Sequence, residues 1–231
     1  MKKFFAFITC SLIGIVSFAQ ISSSSSSMPS ALGKIADADD LFIVSLTSDN
    51  WLKLSSSLES KPLRSRGFSF LILKEKMNTS GHVGIGYGLG FCSQNVHTNG
   101  AIGYDEAAGR NYLTKVPDAN ELETNKLSLN FIDVALELRL RTSENTKGKS
   151  WKLSAGMKGG ILVQNHIKYE DKYGKYKSYN IKGLNNFQYG VTGRFGYGKV
   201  AVSTYYSLVD VFKKDKGPEL TPFSLGISFT F

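Results

Sequence analysis

The chemistry that this sequence could perform depends on its three histidines. His82 follows a predicted short turn, His97 begins the longest predicted loop, and His166 lies near the outer end of a predicted strand. His97 and His166 could approach one another at one rim of the fold, and with Ser93 or a loop carboxylate they could form a hydrolytic site. Nothing in the spacing of these residues requires a catalytic arrangement. Histidines on surface loops are more often exposed side chains without a catalytic role. We therefore predict no catalytic residue and keep a hydrolytic or lipid-modifying enzyme as an alternative.

Metal and cofactor patterns are also weak. Asp37, Asp39 and Asp40 resemble the start of a calcium loop, but no loop glycine and no closing glutamate follow them. The histidines and Cys92 lack the spacing of metal ligands. The alternate glycines from Gly84 to Gly90 lie on a predicted strand, where glycine controls bulk, and they precede no helix as a phosphate-binding loop would. We predict no metal site and no bound cofactor.

The elements that would position any site in this sequence are β-strands. In the last eleven residues every second position is large and apolar, namely Phe223, Leu225, Ile227, Phe229 and Phe231. Such alternation is typical of a strand with one apolar face. Segments with strand character cover 41–54, 67–76, 81–93, 126–142, 150–169, 186–198, 199–211 and 221–231.

The connections between these segments alternate between short and long. Short connections at 77–80, 143–149 and 198–199 alternate with long ones at 55–66, 94–125, 170–185 and 212–220. Outer-membrane barrels have this asymmetry, with tight periplasmic turns and long outer loops. A membrane protein without apolar helices must be a closed barrel, because closure satisfies every backbone hydrogen bond. The sequence therefore predicts an all-β fold, an eight-stranded antiparallel up-and-down transmembrane β-barrel over residues 41–231.

In this barrel the apolar faces point outward and the charged faces point inward. Eight strands leave an interior just wide enough for side chains, so opposite charges there must pair. We predict a salt-bridged interior rather than an open pore, and we expect glycines on the third strand to leave room for long side chains. The inward charges are Glu137, Arg139, Arg141, Lys158 and Arg194, with Asp133 and Asp210 as partners. Aromatic residues near strand ends predict membrane-interface girdles: Trp51, Phe91, Trp151, Tyr169, Phe187, Tyr197 and Phe231.

The start of the sequence predicts export. Lys2 and Lys3 precede a short apolar run, and Ser17 and Ala19 are small residues at the cleavage positions, so residues 1–19 predict a signal peptide. Residues 20–40 contain a run of serines and predict a flexible periplasmic leader. The formal net charge of +9 fits either an anionic counterpart or a solvated surface of lysines. For an exported chain the phosphates of outer-membrane lipid and lipopolysaccharide fit this charge better than nucleic acid does.

Several segments are similar to one known family. The segments are Asn130–Thr142, Lys158–Gly160, Phe195–Gly198, Tyr205–Leu208 and Lys216–Pro222. They resemble the strands of PorT-like bacterial outer-membrane β-barrel proteins, although Ala135 occupies a position where that family often has proline. The resemblance covers most of residues 40–231 and implies an outer-membrane barrel. Because the family includes a member linked to type IX secretion, it also implies a role that assists secretion.

Together these patterns predict a non-enzymatic protein of the bacterial outer membrane. Its role would be structural, docking or secretion-assisting through the outer loops, with a secretion-system or surface protein as partner. The terminal Phe231 resembles the signal that the barrel-insertion machinery recognises, so that machinery is a further expected partner. The alternatives are the enzyme described above and a small-solute channel.

Overall fold

The computed structural model describes residues 40–116, 123–172 and 174–231. The predicted signal peptide and the predicted leader, apart from Asp40, lie outside the described residues, so both stay predictions. No helix in the described part of the chain is long and apolar enough to cross a membrane. The strands are β1 (Asp40–Leu52), β2 (Arg66–Met77), β3 (Val83–His97), β4 (Gly100–Asp105), β5 (Arg110–Lys115), β6 (Thr124–Arg141), β7 (Trp151–Asp171), β8 (Gly174–Tyr179), β9 (Phe187–Tyr197), β10 (Val200–Ser207) and β11 (Thr221–Thr230).

Eight of these strands close into a barrel. Their order around the wall is β6-β3-β2-β1-β11-β10-β9-β7, and β6 also pairs with β7, which closes the ring. Strand neighbours are antiparallel and follow one another along the chain, as in an up-and-down barrel. The predicted eight-stranded antiparallel barrel is therefore confirmed. The short connections lie at the end where β1 begins, and the long ones lie at the opposite end.

The barrel wall is apolar outside and polar inside. On β6 the side chain of Leu136 is 58% exposed, whereas that of its neighbour Glu137 is 2% exposed. The same alternation runs along β3, where Ile85 and Leu89 point outward. Since strand side chains alternate between faces, the charges gather in the lumen and the aliphatic side chains form an outer belt. The predicted assignment of inner and outer faces is confirmed.

One irregularity changes the faces of β7. Asn130 on β6 pairs with Gln164, but the next residue, Phe131, pairs with Leu162, so Val163 is an extra residue in β7. Such a bulge shifts the alternation by one position. Before the bulge the odd-numbered residues of β7 point outward, and after it the even-numbered ones do. Asn130 Nδ2 donates to Gln164 Oε1 at 2.8 Å on the outer face, which agrees with this shift.

The long loops contain three strands that the sequence did not predict. The predicted loop 94–125 includes the hairpin β4–β5, and the predicted loop 170–185 includes β8, which pairs with the outer part of β7. The hairpin turn is closed by Asp105, whose Oδ1 accepts from the backbone amides of Ala107 and Ala108 at 2.9 and 3.0 Å. These strands are short and lack a continuous apolar face, so alternation does not reveal them.

The four alternate glycines of β3 do not all have the same role. Three of them allow the close approach of β2, and one leaves room for a charged side chain. Only Gly86, among the four, gives the predicted room to a long charged side chain, because a Cβ there would lie 3.1 Å from Arg139 Cδ. At Gly88 a Cβ would lie 1.8 Å from the backbone oxygen of Ile72. Gly88 is therefore required by the backbone of the adjacent strand.

We predict that Gly88→Ala weakens the barrel, whereas Gly159→Ala does not. A methyl group at Gly88 forces β2 and β3 apart, at a cost of about 1–3 kcal/mol. A Cβ at Gly159 meets nothing closer than 3.7 Å and serves as the matched control. Both variants are refolded into detergent and run on SDS gels with and without boiling, and the fraction of the faster unboiled band is measured against urea concentration. Equal stability of the two variants would contradict the close-approach argument.

Candidate functional site in the outer loops

Ion pairs fill the lumen near the short turns. Glu75 on β2 lies between Arg139 and Arg141 of β6, with 2.8 Å between Arg139 Nε and Glu75 Oε1. Arg139 and Arg141 point inward as predicted. Glu75 was not among the predicted inward charges, because Lys74 and Lys76 flank it and make the segment look like a solvated run.

Two further pairs lie deeper in the barrel. Glu137 binds Arg194, and Lys158 Nζ lies 3.0 Å from Asp133 Oδ2. Gln188 Nε2 also donates to Asp133 Oδ1 at 3.0 Å, so this carboxylate has two partners. Buried charges are tolerated when they are paired and hydrogen-bonded in this way. The predicted salt-bridged interior is confirmed.

The prediction that Asp210 is a partner of the inward cations is wrong. Strand β10 ends at Ser207, four residues earlier than the predicted segment, so Asp210 lies in the connection that follows. Its Oδ1 accepts from Thr221 Oγ1 at 2.6 Å, which ties this connection to the start of β11.

Above the ion pairs, apolar side chains from the long loops and from the outer parts of the barrel strands form a plug in the mouth of the barrel. The plug consists of Trp51, Val96, Leu127, Leu129, Phe131, Leu184, Val211, Phe212 and Leu220. Trp51 is 4% exposed, so the prediction that it belongs to a membrane-interface girdle is wrong. Below the plug, a cavity of about 70 Å³ is lined by Cys92, Asp133, Lys158 and other lumen residues, which is room for a few water molecules.

An open cleft lies on the outer side of this plug. Its walls are the β4–β5 hairpin and the inner face of the β7–β8 extension, and its volume is about 540 Å³. Tyr104 lines the hairpin wall, and Tyr169 and Tyr176 line the opposite wall as cross-strand neighbours. Tyr169 was predicted in a membrane girdle, but the bulge in β7 turns it toward this tyrosine cleft. We define the tyrosine cleft by Tyr104, Tyr169, Tyr176 and Ser178.

Two buried asparagines hold the hairpin in place. Asn125 Nδ2 donates to the backbone oxygens of Thr98 and Gly100 at 3.1 and 2.7 Å. Asn111 Nδ2 donates to the backbone oxygens of Lys182 and Lys216 at 2.8 and 2.9 Å. These bonds join the hairpin to β6 and to two other loops, so the cleft is a preformed feature.

One ion pair stands at the rim of the cleft. Lys182 Nζ lies 3.1 Å from Glu106 Oε1 and 4.8 Å from the centre of the Tyr104 ring. The hydrogen bond to Glu106 raises the pKa of Lys182 above its ordinary value. Because both side chains are exposed, this pair orients Tyr104 without adding much stability.

The histidines that could support catalysis do not form a catalytic group in the described residues. His97 and His166 both point outward from the wall, on β3 and β7, with β6 between them. His166 packs against Tyr179 at 5.6 Å between ring centres, and Ser93 Oγ accepts from Asn95 Nδ2 at 3.2 Å. His82 lies at the opposite end, with Nδ1 3.0 Å from the backbone oxygen of Arg141. The described residues thus show no hydrogen bond between Ser93 and a histidine.

Comparison with known families identifies the barrel. The family model described as outer membrane protein beta-barrel domain matches residues 48–213. The chain belongs to this family. It is therefore an outer-membrane β-barrel protein, as the alternating strands predicted. The narrower resemblance to PorT-like proteins stays a prediction.

Solved outer-membrane barrels cover most of the chain at low identity. Ail, the attachment invasion locus protein of Yersinia pestis, solved with the heparin analogue sucrose octasulfate, is 12% identical over 83% of this chain and 97% of that chain, with a TM-score of 0.35. A second Ail structure is 9% identical with the same coverage and a TM-score of 0.34. A mutant of Rh. blastica porin is 11% identical over 83% of this chain and 98% of that chain, with a TM-score of 0.20. No curated protein matches the sequence.

We predict that Glu75→Gln destabilises this outer-membrane barrel by about 3–5 kcal/mol, because it leaves buried Arg139 without its carboxylate. Glu106→Gln removes a carboxylate from an exposed pair and is the matched control, with no expected change. Urea unfolding of the refolded proteins in detergent, followed by tryptophan fluorescence, gives both free energies. An unchanged midpoint for Glu75→Gln would show that the ion pairs are dispensable.

We also predict that the purified barrel does not conduct ions steadily. The paired charges and the apolar plug fill the lumen in the part of the chain that the structure describes. Planar-bilayer recordings should therefore show no ohmic steps, with a porin recorded in the same membrane as the positive control. Steady steps that scale with salt concentration would support a channel instead.

Proposed function

We propose that this outer-membrane protein is a non-enzymatic docking component that binds an extended segment of a surface or secreted protein in the tyrosine cleft. The observation that carries the proposal is the cleft itself, a preformed site of about 540 Å³ between the hairpin that the asparagines anchor and the β7–β8 extension. The bound segment would come from the secretion-system or surface partner that the PorT-like resemblance implies.

The side chains of the cleft suit a polypeptide. Tyrosine offers a large, rigid contact surface and a hydroxyl that both donates and accepts, and it loses little conformational entropy on binding. Tyr169 and Tyr176 stand side by side on one wall, and Tyr104 faces the cleft from the other. Three such rings resemble the anchoring residues of protein interfaces.

The backbone of the cleft supports the same ligand. In the described residues, β8 pairs with β7 on one side and ends the sheet on the other. A sheet edge presents unpaired amide and carbonyl groups, and an extended peptide can add to it as a further strand. Main-chain hydrogen bonds to β8 would provide affinity, and the tyrosines would provide selectivity.

We predict that a photoreactive amino acid at Ser178 crosslinks to a defined protein in cells, whereas one at Leu63 does not. Ser178 lines the cleft, and Leu63 is 90% exposed on a different loop. Tyr104→Ala should lower the yield from Ser178 about tenfold, because it removes one aromatic anchor. Tyr112→Ala is the matched control, since Tyr112 lies on the same hairpin but does not line the cleft.

The control variants separate specific docking from random contact. Equal crosslinking from Leu63, or an equal loss with Tyr112→Ala, would contradict docking in the cleft. The tyrosine variants are first run on SDS gels with and without boiling, so that loss of crosslinking is not confused with failure to fold.

A further inference from the structure

Three lysines and a histidine form one row across the outer wall. His97 on β3 pairs with Lys126 on β6, Lys126 pairs with Lys168 on β7, and Lys168 pairs with Lys177 on β8. We call these four residues the lysine row. Like charges directly opposite one another on neighbouring strands are destabilising. Three adjacent lysines therefore favour the binding of an anion at this part of the wall.

The lysine row continues the face that meets the membrane. Lys126 lies on the same face of β6 as Ile132 and Val134, because residues two apart in a strand share a face. His97 likewise shares the outer face of β3 with Phe91. The row stands about 15 Å beyond Ile132 along the barrel axis, given the rise and tilt of barrel strands. The row therefore lies beyond the apolar belt, on the side of the sugars and phosphates of the outer leaflet.

The described residues neutralise the lysine row only in part. Glu170 binds Lys168 at 2.6 Å and Lys175 at 3.2 Å. Lys126 Nζ donates to Asn95 Oδ1 at 3.2 Å, and Lys177 Nζ donates to Tyr179 at 3.2 Å. Among the described residues, no carboxylate lies within 4.0 Å of Lys126 or Lys177. Within the described residues, Lys126 and Lys177 therefore have neutral partners only.

Polar side chains fill the space between the row and the apolar belt. Asn95, Ser128 and His166 form the next cross-strand row, which we call the neutral row. Its Ser128 is buried, so Asn95 and His166 are the members that a ligand could contact. Asn130 and Gln164 lie below this row. Nδ1 of His166 is buried and has no hydrogen-bond partner in the described structure. A ligand on this wall would therefore meet apolar, neutral polar and cationic groups in that order, moving away from the membrane.

We propose that the lysine row binds the phosphate groups of an outer-leaflet glycolipid of the lipopolysaccharide class. Its acyl chains would lie against the outer belt at Phe91 and Ile132, its sugars against the neutral row, and a phosphate between Lys126 and Lys177. Only a lipid would contact the outer belt, the neutral row and the lysine row together. A free phosphate would contact the lysine row alone. The site lies on the outer face of β7–β8 and does not depend on ligand binding in the tyrosine cleft on the inner face.

The test compares two double variants of the full chain. Lys126→Gln with Lys177→Gln removes the two charges of the row that have no carboxylate partner among the described residues. Lys213→Gln with Lys214→Gln removes two exposed charges from a different loop. Each protein is purified in detergent and checked for the heat-dependent shift on SDS gels. The affinity for diphosphorylated lipid A is then measured, with dephosphorylated lipid A and inorganic phosphate as further probes.

We expect the first double variant to bind diphosphorylated lipid A about tenfold more weakly, since each lysine near an anionic membrane contributes to binding. The Lys213 and Lys214 variant should bind like the parent protein, and dephosphorylated lipid A should bind more weakly to the parent protein. Equal losses in both double variants would show a general charge effect and overturn the proposal. Full competition by inorganic phosphate would assign the row to a free anion. Unchanged lipid binding would leave an acidic protein as the occupant and also overturn it.

Discussion

Every other feature of this protein depends on the closure of β6 against β7. Within a membrane no water is available to satisfy backbone amides, so a strand edge there would leave several unpaired groups at high cost. The pairing of β6 with β7 is the longest in the barrel, from Thr124 with Glu170 to Arg141 with Lys152. It closes the wall inside the membrane and continues beyond it, where it carries both proposed sites.

Closure at eight strands determines what the lumen can contain. The interior is narrow, so charged side chains from opposite walls must meet, and they are tolerated because Glu75, Asp133 and Glu137 each have a cationic partner. At the outer end the same narrowness lets loops close the mouth with apolar side chains such as Phe212 and Leu220. The protein therefore has its binding surfaces on the loops and the outer wall rather than in a pore.

Much of the barrel could be predicted from the sequence because alternation has a period of two and its apolar face is continuous. β6 shows this most clearly, with Ile132 to Leu140 outside and Asp133 to Arg141 inside. Glu75 and Trp51 could not be placed, because a charge between two lysines and an aromatic residue at a strand end each fit two environments. The tyrosine cleft was also beyond prediction, since its hairpin is held by single asparagine side chains that bond to distant backbone oxygens. Such bonds leave no periodic pattern.

The extra residue in β7 determines which side chains the outer part of this strand presents on each face of the wall. Val163 is one extra residue in the strand, so it reverses which side chains face outward. Before Val163 the odd-numbered residues of β7 face the lipid, and after it the even-numbered residues face outward. Without that insertion, Tyr169 would face the lipid headgroups and Lys168 would enter the cleft. One residue thus places Tyr169 on one side of the wall and Lys168 on the other. Two surfaces with opposite chemistry can therefore share a single strand.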